Sequence, residues 1–96
     1  MLPKPKKSLG QNFLQDPNIR RKIMAACDFS GNDVVLEIGP GQAAMTALIA
    51  PVVRKLYAVE IDTALSKSLS EDFKGQEHVN IVNADFLKLD LEGLLG

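Results

Sequence analysis

Val34-Val-Leu-Glu-Ile-Gly-Pro-Gly-Gln-Ala-Ala-Met-Thr46 is the stretch whose reading decides the fold. Four apolar residues surround a lone acid, Glu37, and the chain then breaks at Gly39-Pro40-Gly41. A short apolar run that ends in a glycine turn and leads into a helical pattern reads as strand, turn and helix. In a parallel sheet that arrangement brings backbone close to a ligand at the carboxyl edge of the strands. It suits a nucleotide.

Downstream, the same pattern repeats with different punctuation. Ala43 to about Lys55 reads as helix, with Thr46 a candidate N-cap and Met45, Leu48, Ile49, Val52 and Val53 on its apolar face. Pro51 conflicts with a helix interior, because it lacks an N–H and clashes with the carbonyl four residues back. A late start near Ala47 or Leu48 is the expected resolution, and a kink at Pro51 is the alternative. Leu56 to Ile61 is a second apolar strand carrying Glu60. Asp62 or Thr63 can cap a third helix, in which Leu65, Leu69 and Phe73 recur every four residues and which Gly75 closes. Val79 to Val82 is a third strand, running into Asn83-Ala-Asp85. From Phe86 onward the apolar residues show no single period.

Upstream, Asp16-Pro17 is a helix start, with Asp16 as N-cap and Pro17 at the first helical position. Ile19, Ile23 and either Ala26 or Cys27 share one face, and Gly31 is the expected stop. Cys27 is expected to be a small buried residue. It is the single cysteine, so neither an intramolecular disulfide nor a CxxC metal pair is available. Gly10 to Leu14 sets two apolar side chains beside two amides, a pattern that suggests anchoring. Met1 to Leu9 holds two prolines and three lysines and reads as an extended arm.

Strands separated by helices imply right-handed crossovers and a parallel sheet. The domain expectation is a basic arm over residues 1–10 and an incomplete Rossmann-like domain over 11–96, since a parallel-sheet domain normally exceeds 96 residues. With 46% hydrophobic and 24% charged residues, the composition is that of a globular protein. Charge is uneven: residues 1–22 carry six bases and one acid, the remainder five bases and eleven acids. The arm can therefore meet a polyanion or simply be solvated. Neither a signal peptide nor a membrane span is evident, and the expected location is the cytoplasm.

Candidate site residues follow from the parallel arrangement, which places Glu37, Glu60 and Asp85 with the glycine turn at one rim. Glu60 lies 21 residues beyond Gly39 and can accept hydrogen bonds from both ribose hydroxyls, or can cap the following helix. Asp85 can accept from the exocyclic amino group of adenine, or can cap its own segment. Ile61 and Phe86 can sandwich a base or be core. Glu37 can brace the glycine loop or attract a cationic ligand. Ala44 stands where a dinucleotide motif has its last glycine, and Pro40 offers no N–H to a pyrophosphate. S-adenosylmethionine, an adenosine without phosphates, fits better than NAD, and a nicotinamide dehydrogenase fragment is disfavoured.

Lys7-Ser-Leu-Gly-Gln-Asn-Phe-Leu14, Glu37-Ile-Gly-Pro-Gly41 with Met45-Thr46, Val59-Glu-Ile-Asp62 and Asn83-Ala-Asp85 resemble the ordered motifs of the ribosomal RNA adenine N6-dimethyltransferases of the KsgA type. The resemblance begins near residue 5 and implies a partial class I, Rossmann-like α/β methyltransferase fold of three parallel strands with intervening helices. It implies that Gln11, Asn12 and Leu14 line the methionine side of the cofactor, Gly39 and Gly41 its floor, Glu60 the ribose, and Ile61 and Asp85 the adenine. It also implies contact of Lys4, Lys6 and Lys7 with RNA phosphates. The implied reaction is dimethylation of two adjacent adenines of small-subunit rRNA in the pre-30S particle, by a protein that is monomeric at full length and uses no metal.

Ala43 and Ala44 depart from relatives that have a further glycine here. The family's catalytic Asn-(Leu/Ile)-Pro-(Tyr/Phe) motif would follow Gly96, so no catalytic residue is assigned and the 96 residues alone are expected not to methylate RNA. Two other readings are an enzyme of the macrolide-resistance type acting on large-subunit rRNA, and a non-catalytic RNA- or ribosome-binding module.

Overall fold

The computed structural model describes residues 16–41 and 43–95. Gln11, Asn12 and Leu14, with the arm lysines Lys4, Lys6 and Lys7, lie outside the described residues. The elements are α1 (Pro17–Cys27), β1 (Val34–Ile38), α2 (Thr46–Ile49), β2 (Lys55–Glu60), α3 (Thr63–Asp72), β3 (Val79–Asn83), a 3₁₀ turn (Phe86–Lys88) and α4 (Leu91–Leu95). The three strands form a parallel sheet in the order β1-β2-β3.

Helix α1 begins as the sequence predicts, with Asp16 Oδ1 accepting from the Asn18 N–H at 2.8 Å and Pro17 in the first turn. Its end differs. Asp28, not Gly31, takes the left-handed conformation (φ 50°), and its N–H donates to the Met24 carbonyl. Asp is one of the few side chains that tolerates this conformation, so the helix stops before the glycine is reached. Cys27 is exposed, contrary to expectation. Ile23, Met24 and Phe29 make the contacts with the core.

Pro51 acts as a terminator. Helix α2 is one turn, Thr46 to Ile49, and Ala50 closes it before the proline. The expected late-starting helix through to Lys55 does not form, because Pro51 has no N–H to continue the ladder. Thr46 is the first helical residue, not the N-cap, and its hydroxyl points elsewhere. Met45, Ile49 and Val53 are buried as predicted, whereas Leu48 and Val52 are exposed.

Strand β2 is central and almost wholly buried, with Leu56 and Ala58 at 0% exposure. The predicted span was Leu56 to Ile61; the strand instead ends at Glu60, and Ile61 projects outward at 66% exposure. Strand β1 is an edge, so Val34 and Ile38 are each half exposed. Side chains alternate across a sheet, and the register Val35–Leu56–Val79 puts these three on one face. Ile49, Val53, Leu69 and Phe73 pack with them as the core. Asp62 caps α3 by accepting from the Leu65 N–H at 3.0 Å.

Candidate functional site at the carboxyl ends of the strands

The glycine turn starts where β1 leaves the sheet. Gly39, Gly41 and Ala43 all have positive φ, at 65°, 58° and 71°. The first two positions suit glycine, which meets no Cβ penalty there. Ala43 adopts the same region with a side chain that is buried in the core. The amides of the turn are bonded internally: Gly39 N–H to the Val59 carbonyl at 2.8 Å, Gly41 N–H to Glu60 Oε1 at 3.0 Å, and Ala43 N–H to the Pro40 carbonyl at 3.0 Å. Among the described residues of the turn, Pro40 has no N–H at all. A phosphate requires open amides, and those of Gly39, Gly41 and Ala43 are engaged.

Glu60, the last residue of β2, is 5% exposed. Its Oε1 takes the Gly41 N–H and its Oε2 takes the Asp62 N–H, each at 3.0 Å. One carboxylate thus ties the glycine turn to the turn that enters α3. It is not itself the cap of α3; Asp62 has that role. Each oxygen of a carboxylate has a second lone-pair direction, so both retain capacity to accept from a hydroxyl.

Asp85 lies two residues past the end of β3 and is the cap of the 3₁₀ turn, with Oδ1 accepting from the Leu87 N–H at 3.0 Å. Among the described residues its Oδ2 accepts nothing. Ile38, Gly39, Val59, Ile61, Ala84, Asp85, Phe86 and Leu87 line a cleft of about 270 Å³ at this rim. Of the five predicted cofactor residues within the described part, the cleft gathers Gly39, Ile61 and Asp85. Gly41 and Glu60 are not among its lining residues and are joined to each other.

Glu37 departs from the expected rim position. It pairs in register with Ala58, two residues short of Glu60 along the sheet. Its Oε1 accepts a 2.6 Å hydrogen bond from the hydroxyl of fully buried Thr46, so it ties β1 to the first residue of α2. Burial pushes its carboxyl above the ordinary value of 4.5, an effect that the Thr46 bond partly offsets.

Asn83 received no role from the sequence. Its Nδ2 donates to the Glu60 carbonyl at 3.0 Å and to the Ile61 carbonyl at 3.2 Å. Its Oδ1 accepts from the Thr63 hydroxyl at 3.3 Å. An amide at the end of a strand, level with an acid at the end of the neighbouring strand, is the signal that could have identified it. A second cleft, of about 240 Å³, lies between α3 and β3 around Ser70, Phe73, Gly75 and Val79, and holds none of the predicted residues. Among the described residues no helix is long and apolar enough to cross a membrane.

Comparison with known proteins places this rim in context. The family model described as ribosomal RNA adenine dimethylase matches residues 3–95. The chain is similar to proteins named ribosomal RNA small subunit methyltransferase A. The one from Natranaerobius thermophilus is 45% identical over 91 residues, covering 95% of this chain and 30% of the relative. The one from Pelotomaculum thermopropionicum is 47% identical over 92 residues, covering 96% and 31%. The chain thus spans about 30% of the length of these curated relatives.

Two solved structures share the architecture. A dimethyladenosine transferase from Plasmodium falciparum superposes with a TM-score of 0.73 at 26% identity, covering 79% of this chain and 28% of that one. The 23S rRNA methyltransferase ErmE does so with a TM-score of 0.73 at 36% identity, covering 81% and 32%. Matched over nearly all of its length, with a Rossmann-like sheet shared with both solved methyltransferases, this chain belongs to the ribosomal RNA adenine dimethylase family.

Proposed function

We propose that the chain is the S-adenosylmethionine-binding portion of an enzyme that dimethylates N6 of two adjacent adenines in small-subunit rRNA, acting on the pre-30S particle. The observation that carries this reading is the convergence of Gly39, Ile61 and Asp85 on one rim cleft, with buried Glu60 between the lining residues Val59 and Ile61 in the chain. The cofactor supplies an electrophilic methyl on a sulfonium. The residues of the chain bind and orient it: Glu60 accepts from the ribose hydroxyls, Asp85 Oδ2 accepts from the adenine amino group, and Ile61 and Phe86 contact the faces of the base. Gln11, Asn12 and Leu14 line the methionine end, and Lys4, Lys6 and Lys7 meet RNA phosphates.

The turn supports an adenosine ligand over a dinucleotide, because the Gly39, Gly41 and Ala43 amides are already bonded within the protein and Pro40 has none. Titration calorimetry with S-adenosylmethionine, S-adenosylhomocysteine and NAD tests this choice. The two sulfur ligands are expected to bind, and selective binding of NAD would sink the methyltransferase reading. Glu60→Ala is expected to weaken S-adenosylhomocysteine by roughly ten- to a hundredfold, the range for losing hydrogen bonds to a charged group.

A second reading, action on large-subunit rRNA, is favoured by the likeness to the 23S rRNA methyltransferase. Higher identity to the small-subunit relatives supports the first. Primer extension across both rRNAs, from cells with and without the gene, separates them: loss of the modification in the large subunit alone would select the second.

A further inference from the structure

Strands β2 and β3 end level with each other, Glu60 opposite Asn83. At that last rung the Asn83 side chain bonds to three groups at and beyond the end of β2: the Glu60 carbonyl, the Ile61 carbonyl and the Thr63 hydroxyl. The Ala84 N–H adds a fourth link, to the Glu60 carbonyl at 3.1 Å. An amide suits this task because it offers two N–H donors and a carbonyl at once. Aspartate would present lone pairs to two carbonyls, and glutamine would be one methylene too long.

The consequence lies in what flanks the staple. On one side is Glu60, whose carboxylate holds the glycine turn; on the other, two residues past Asn83, is Asp85 at the mouth of the cleft. We infer that Asn83 is a positioning residue that fixes the separation between the ribose acceptor Glu60 and the adenine acceptor Asp85. This rests on the cofactor reading above and extends it: Asn83 is not among the residues that line the cleft, and its bonds hold the β2–α3 turn against the end of β3. Without them the turn that starts at Ile61 is free to move relative to Asp85, and a ligand that spans both carboxylates loses part of its fit.

The test is a thermodynamic cycle on the 96-residue chain, with S-adenosylhomocysteine as the probe and far-UV circular dichroism to confirm folding. Asn83→Ala is expected to weaken binding roughly tenfold, and Asn83→Ala combined with Glu60→Ala to bind about as weakly as Glu60→Ala alone. A structural role alone would lower stability and leave that coupling at zero. Additive losses would overturn the inference. Unchanged affinity in Asn83→Ala would overturn it too, while leaving Glu60 in place as ribose acceptor. No loss in Glu60→Ala would remove the ribose reading and this inference with it. Asn80→Ala, which removes another amide of β3 bonded only to the His78 carbonyl at 3.5 Å, is the control expected to bind normally. Should Asn83→Ala fail to fold, Thr63→Val removes one bond of the staple at an exposed position. It is expected to weaken binding about two- to threefold, and wild-type affinity there would also overturn the inference.

Discussion

Glu37 shows how one side chain can be conspicuous in a sequence and still be misplaced by it. An acid inside an apolar strand demands a partner, and the alternation of β1 gives the face it points to. The partner is nine residues on, at the start of a helix whose boundaries the sequence did not reveal, and only the fold supplies the Thr46 hydroxyl. The raised carboxyl pKa has a definite sign. Between the unfolded value and the higher folded value the native state binds more protons than the unfolded state, so the contribution of this group to stability is full at acid pH and falls as pH rises through the folded pKa. Glu37→Gln keeps an acceptor for Thr46 and abolishes the titration. Relative to wild type, it is expected to gain stability as pH rises from 4 towards 7, in urea unfolding followed by circular dichroism. A difference that does not vary with pH would show that Glu37 carries no such linkage. Ala43 is the second residue whose importance lies in its backbone. Ala43→Val puts a β-branched side chain at positive φ and into a filled core. It is expected to cost more than about 2 kcal/mol in the same assay.

At the scale of elements, legibility followed the kind of signal. Asp16 and Asp62 cap α1 and α3 as the sequence predicts, because a cap is local chemistry between a side chain and an N–H two or three residues on. Strand β1, Val34–Ile38, coincides with the apolar run read before the glycine turn, since turn residues bound it on both sides. The C-terminal end of α1 and the bounds of α2 differ from those expected. There, several residues could each have ended the helix; Asp28 does so in one case by taking the left-handed conformation, and Pro51 limits the other to a single turn. Asp62→Ala is expected to lower stability by about 1 kcal/mol through the lost cap. Thermal unfolding of the variant measures it, and an unchanged midpoint would mean that α3 is held by Leu69 and Phe73 alone. The candidate site was legible as a set of strand ends. What could not be read was which atoms were already engaged: the Glu60 bond to the Gly41 amide and the staple of Asn83 join segments about twenty residues apart, where sequence spacing carries little information.

At the scale of the whole molecule, burial is concentrated in the central strand, and energetic sensitivity should follow it. Leu56, fully buried in β2, is expected to lose about 2–5 kcal/mol on conversion to Ala. Leu87, 89% exposed, should lose within about 0.5 kcal/mol. Comparable losses at both sites, in denaturant titrations of the two variants, would contradict the core described here. The sheet order β1-β2-β3 has a further consequence. Each strand pairs with the one synthesised just before it, so the sheet can grow in the direction of translation, each new strand joining an edge already in place. Among the described strands, Asn83 fastens β3 to β2 at the rim. A nascent chain stalled before β3 would therefore hold the glycine turn yet lack Ala84, Asp85 and Phe86 from the cleft at that rim.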